Sequence, residues 1–184
     1  FNSAATASST TGTITVYVSG WSFSGVTSSS YLLGQPTSNY YKPVGYSTWD
    51  TTNLTDLSFC FYYVNSPLEN LSGWNVSNVT NFVSMFYTSS PGLNFPDSGN
   101  FFSSWNVSKA TSMAGIFKND FSNATPAGTG NFNGNVDNWN VSNVTDMSQM
   151  FFGAKLFNRD LSAWNTGKVS NMSFMFGCNK IGRA

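Results

Sequence analysis

Few side chains in this 184-residue chain could do chemistry. It has no histidine, and eight acidic residues cancel eight basic ones. Without imidazole the commonest general base and transition-metal ligand is missing, which disfavours most hydrolytic and metal chemistry. The carboxylates are sparse. Asp137 and Asp160 have no second acid at a spacing that suits glycoside hydrolysis. Asp56 and Asp146 fall in what the spacing predicts to be a first helical turn, where a carboxylate favours the helix dipole. Asp97 and Asp120, near two insertions, are the acids a calcium ion would have to use. No catalytic residue, metal or cofactor is assigned, and the chain is read as non-enzymatic. Its neutral balance leaves no electrostatic footprint for nucleic acid or anionic lipid, and no run approaches the roughly 18 apolar residues that span a bilayer.

What recurs instead is a set of uncharged polar groups. Asp50, Asn75, Asn106, Asn140 and Asn165 each follow a tryptophan, and Thr52, Ser77, Ser108, Ser142 and Gly167 come two residues later. On a repeat strand these positions point away from the core and form a flat ladder of amides and hydroxyls on a concave face. Such a ladder stabilises stacked coils along their axis, or it offers a surface to a glycan or a host surface protein. The candidate binding residues are therefore Asp50, Asn75, Asn106, Asn140, Asn165, Ser77, Ser108 and Ser142. Asn-x-Ser/Thr triplets are frequent because the repeat forces them; Asn123, in an insertion, is the glycosylation candidate.

The elements that must carry this ladder follow from the repeat. Five segments align on Trp49, Trp74, Trp105, Trp139 and Trp164, and each reaches a phenylalanine twelve residues later, at Phe61, Phe86, Phe117, Phe151 and Phe176. The tryptophan spacings are 25, 31, 34 and 25, so a 25-residue unit carries insertions in its second and third intervals, at 87–100 and 119–134. Around each tryptophan the apolar spacing fits a strand of a leucine-rich repeat. After it, Val144, Met147 and Phe151 fall at i, i+3 and i+7, a helical stripe. Thr55, Thr80, Thr111 and Thr145 are placed as helix N-caps and Gly153 as a stop. One coil cannot bury its apolar edge alone, so the tryptophans and phenylalanines are read as a stacked core. The fold class expected is α/β: a leucine-rich-repeat-like solenoid of about five coils, each with a short parallel strand and a short helix, under an N-terminal β cap.

The copy that runs Phe157-Asn-Arg-Asp-Leu-Ser-Ala-Trp-Asn-Thr-Gly-Lys-Val-Ser-Asn-Met-Ser-Phe-Met-Phe-Gly-Cys carries a family resemblance. It resembles the BspA-like leucine-rich-repeat surface proteins, and more closely a 25-residue repeat of an uncharacterised mycoplasma domain. The resemblance covers about residues 46–181 and implies an exported, cell-surface repeat protein, often associated with adhesion. It supplies no catalytic residues. This chain departs from the pattern in its low charge (9%, against roughly 25% on average), its insertions, and Asn in place of the frequent Asp after the tryptophan.

Two regions complete the domain reading. Residues 1–45 lack the repeat: 1–11 read as a mobile Ser/Thr/Ala tail, and Gly12 to Gly20 alternate as a strand, a cap for a solenoid that fills 46–184. A start at Phe1 fits a processed or trimmed product. Cys60 is expected to be a buried thiol, and stacking at roughly 4.8 Å per coil sets it too far from Cys178 for a disulfide. The stop at Ala184 without a polar capping unit leaves an open end, to be covered by more polypeptide or by another subunit; a head-to-tail contact that does not close makes a filament. The function expected is an extracellular structural or adhesive protein that self-associates. The alternative is a monomeric glycan- or protein-binding module that uses the ladder.

Overall fold

The computed structural model describes residues 6–10, 13–21, 23, 25–34, 41–64, 66–88, 93, 95, 101–120 and 132–179. Its strands are β1 (Thr6–Thr10), β2 (Thr13–Tyr17) and β3 (Tyr41–Val44). They form a sheet in the order β1-β2-β3. β1 runs antiparallel to β2 with Thr6 opposite Tyr17, and β2 runs parallel to β3 with Tyr17 opposite Val44. The Ser/Thr/Ala segment expected to be a mobile tail thus contributes β1. Four consecutive β-branched residues, Thr13 to Val16, favour extended backbone in β2 and give β1 a strand to pair with.

The helix-bearing solenoid expected from the sequence does not form. Among the described residues there is no helix. Successive coils instead touch through isolated parallel bridges, a ladder that runs Ser28, Asp56, Asn81, Ser112, Asp146, Asn171. The reason lies in where the amides point. The N–H groups of Leu57, Phe59, Phe61 and Tyr63 donate to the carbonyls of Asn81, Val83, Met85 and Tyr87 in the next coil, each at 2.9 Å. The alternate N–H groups, of Cys60, Tyr62 and Val64, donate three residues back within their own turn. A helix would send every one of them four residues back.

Left-handed residues enforce the alternation. Tyr31, Phe59, Ser84, Gly115, Gln149 and Phe174 all have φ between 51° and 60°, and each stands three residues after a bridge residue of the ladder. A single non-glycine residue there costs about 1–2 kcal/mol, which the inter-coil bonds it permits offset. The stripe Val144, Met147, Phe151 is buried as a helical face would be, but successive tight turns produce it.

Other helix-based assignments change with it. The hydroxyls of Thr55, Thr80, Thr111 and Thr145 cap no helix; each donates to the threonine carbonyl of the preceding coil at 3.1–3.2 Å. Asp56 and Asp146 face no helix dipole; each accepts the amide two residues on, from Ser58 and Ser148, at 2.8 Å. Gly153 stops no helix; its φ of 70° lets it pass the Asn119 carbonyl oxygen, into which a Cβ would run.

The core is a column of rings. Phe61, Phe86, Phe117, Phe151 and Phe176 stack in sequence with centroids 5.4–5.9 Å apart. Beside it, Trp49 stacks on Trp74 and Trp105 on Trp139. The insertions add to this core. Phe132 stacks on Phe117 at 3.6 Å, and Phe95 meets Phe86, Phe117 and Phe132 edge-on. The ladder begins one coil before the first tryptophan repeat of the sequence: Trp21 stacks on Trp49 at 5.8 Å, and Leu33 stands where later coils have phenylalanine.

Candidate functional site

The polar ladder is built from turns that close on themselves. Asn75, Asn106 and Asn140 each accept the amide of Ser77, Ser108 and Ser142 at 3.1–3.2 Å. Asp50 accepts from Thr52 at 3.0 Å, and Asn165 from Gly167 at 3.1 Å. This is the Asx-turn, for which Asn and Asp are suited by a short side chain that reaches its own backbone. The hydroxyl and amide of Thr52 hold the Asp50 carboxyl below the usual carboxylate range, and the amide and hydroxyl of Ser162 do the same for Asp160. All five first residues of the ladder are exposed, and their Oδ1 atoms are engaged in these turns.

Bonds that run along the axis come from the neighbouring position. Asn78 donates to the Thr52 carbonyl and Asn143 to the Ser108 carbonyl, both at 2.9 Å. Lys109 and Lys168 in turn donate to Asn78 and Asn143 at 2.7 Å. The sequence carries this signal as Asn or Lys four residues after the tryptophan.

Every ladder tryptophan is also an inter-coil staple. The indole N–H of Trp49, Trp74, Trp105, Trp139 and Trp164 donates to the carbonyl of Val18, Tyr46, Leu71, Phe102 and Val136, at 2.9–3.1 Å. A buried indole N–H needs such an acceptor, and the coil before supplies one each time.

Two acid-bearing clusters have no sequence motif to mark their partners. Glu69 accepts the amides of Gly45 and Ser47 at 2.5 and 2.7 Å, while its own amide donates to the Tyr46 hydroxyl. Burial raises the Tyr46 phenol well above its ordinary value. In the second, Tyr63 donates to Tyr87, Tyr87 donates to Asp120, and Lys118 lies 3.3 Å from Asp120. Burial and then the Asp120 hydrogen bond raise the Tyr87 phenol far above its usual value. Asp120, the one described acid of the calcium pair, is thus taken up by a lysine and a phenol. Asp97 and Asn123 lie outside the described residues. Among the described residues no three His, Cys, Asp or Glu side chains are grouped to hold a metal, and no helix is long and apolar enough to cross a membrane.

The coils end unevenly. Trp49, Trp74, Trp105, Trp139 and Trp164, with Phe86, Phe117 and Phe151, are buried, but Phe176 is 41% exposed. Met172 is 44% exposed, whereas its counterpart Met147 is fully buried. Cys60 is buried and Cys178 exposed, and both are free thiols.

A family model described as "Mycoplasma protein of unknown function, DUF285" matches residues 3–125 and 102–181. The chain belongs to this family. The DUF285 match takes in the segment around Trp21 as well as the repeats after it, in keeping with the ladder's start at Ser28. It does not bring the strand-plus-helix unit of a leucine-rich repeat, which the described coils lack. No curated protein and no solved structure matches the chain.

Proposed function

We propose that this chain is a non-enzymatic, exported surface protein with a structural role, and that it joins a second copy through its last described coil. One observation carries the reading. Met172, Phe174 and Phe176 are 44%, 70% and 41% exposed, and their N–H groups have no acceptor among the described residues. The corresponding amides of the coil before, Met147, Gln149 and Phe151, donate to Asn171, Ser173 and Met175 at 2.8–2.9 Å. A row of unpaired donors beside exposed rings is the edge that another chain extends.

The matching acceptors lie at the other end. By the same register the carbonyls of Ser28, Ser30 and Leu32 in the first coil would receive these amides, and none has a donor among the described residues. β1 already lies along β2 at that end, so the junction is made by the turn face of the coil. Charge offers little resistance, because the chain carries no net charge. A contact of this kind does not close on itself and propagates. Adhesion at a cell surface is the setting the family resemblance suggests.

Light scattering across the micromolar range, with electron microscopy of the same samples, tests the proposal. The chain should form oligomers or filaments, and Phe174→Asp should reduce them to a 20.0 kDa species. A monomer at every concentration would end this reading.

A further inference from the structure

A trough of about 310 Å³ crosses the turn face of the middle coils, and none of the Asn-ladder residues lines it. Its origin is in the column of left-handed residues. That column reads Tyr31, Phe59, Ser84, Gly115, Gln149, Phe174: large at both ends and small at the two central places. Ser84 and Gly115 therefore leave a gap between flanking bulky side chains, and the gap is the floor of the trough. Phe59, Tyr62 and Tyr87 form an aromatic wall, with Tyr62 5.4 Å from Phe59 and 5.0 Å from Tyr87. Ser84, Ser148 and Gln149 bring polar side chains for which no hydrogen bond is made among the described residues.

We propose that this trough binds a neutral saccharide. The volume lies at the lower end of ligand pockets, roughly 300–1,000 Å³, and suits one or two sugar rings. A pyranose presents C–H groups on one face, which sit well on the electron-rich face of an aromatic ring, and hydroxyls around its rim, which hydroxyl and amide side chains can meet. Charge narrows the class. Lys118 is held by Asp120 at 3.3 Å and lies 4.8 Å over the Tyr87 ring, so it is not a bare cation for phosphate or sialic acid. The trough is lined by no carboxylate that would hold a cationic ligand. The Tyr63, Tyr87, Asp120 chain fixes the ring that forms the wall, so little ordering is left for binding to impose.

The fold itself supplies the test. Phe59 and Phe174 take the conformation of Gly115 with a full aromatic side chain, and the atoms nearest a Cβ at Gly115 are the Ser84 hydroxyl at 3.2 Å and the Lys118 side chain, with no backbone among them. Gly115→Phe therefore fills the trough within a backbone that accepts it, and Ser84→Phe does so from the adjacent coil. Lactose, cellobiose, maltotriose and chitobiose would be titrated by saturation-transfer NMR and calorimetry at millimolar concentration, with thermal unfolding of each variant as the control for folding. At least one sugar should bind. Gly115→Phe, Ser84→Phe and Tyr62→Ala should each weaken it roughly tenfold or more, while Leu156→Ala, at an exposed residue that does not line the trough, should leave it unchanged. The proposal is overturned if no neutral sugar binds or if binding survives in both filled variants. Binding only of sialyllactose or of a proline-rich peptide overturns it equally.

Discussion

The indole of Trp139 donates to the carbonyl of Phe102, 37 residues earlier, at 3.0 Å. That bond spans the longest insertion in the array, and its geometry matches that of the indole bonds across uninserted intervals. An insertion therefore leaves the stack undisturbed as long as this acceptor stays in place.

Trp139→Phe keeps a ring in the core but removes the indole N–H, leaving the Phe102 carbonyl with the Trp105 amide alone. The lost buried hydrogen bond costs about 0.5–1.5 kcal/mol, and the lost ring volume adds a cavity term. The expected total is about 2–4 kcal/mol, read as a lower denaturant midpoint with little change in slope. A shift near zero would mean the staple carries no stability.

Gly153→Ala tests the closest approach between coils. The added Cβ would run into the Asn119 carbonyl at a φ of 70°, where an L residue is strained as well. Destabilisation of ~3 kcal/mol or more is expected. Gln149→Ala is the control: its φ of 54° already accommodates a side chain, and its loss should be much smaller.

Alkaline pH should loosen the fold through groups that it holds protonated, Cys60 and Tyr62 beside the Tyr46 and Tyr87 phenols. Burial pushes the Cys60 thiol from 9.0 up to about 12. Burial, then a hydrogen bond with Tyr63, pushes the Tyr62 phenol from 10.0 up to about 12. In both the folded pKa is the higher, so their contribution is fully present below about pH 9 and is lost as pH rises toward about 12. Melting temperature should be flat near neutrality and fall above pH 9, and Cys60→Ala should remove part of that slope. In the native state a thiol reagent should label Cys178 and spare Cys60.

The repeat, the ring types of the core and the polar position after each tryptophan are all legible in the order of residues. Period and residue type are local, and five copies of Trp and Phe at a fixed interval leave little freedom about what must stack. The same text misread the backbone. Val144, Met147 and Phe151 have the spacing of a helical face, and a chain of tight turns with a left-handed residue in each coil produces that spacing equally well. What separates the two is whether an amide bonds within its segment or to the next coil, and that partner lies 24 or more residues away. The first coil was hidden for a related reason: Trp21 and Leu33 keep the interval, but the residues between them do not resemble the later copies. Tertiary structure alone decided how the trough forms, because it needs Phe59, Ser84, Gly115 and Gln149 side by side, and no local pattern joins them.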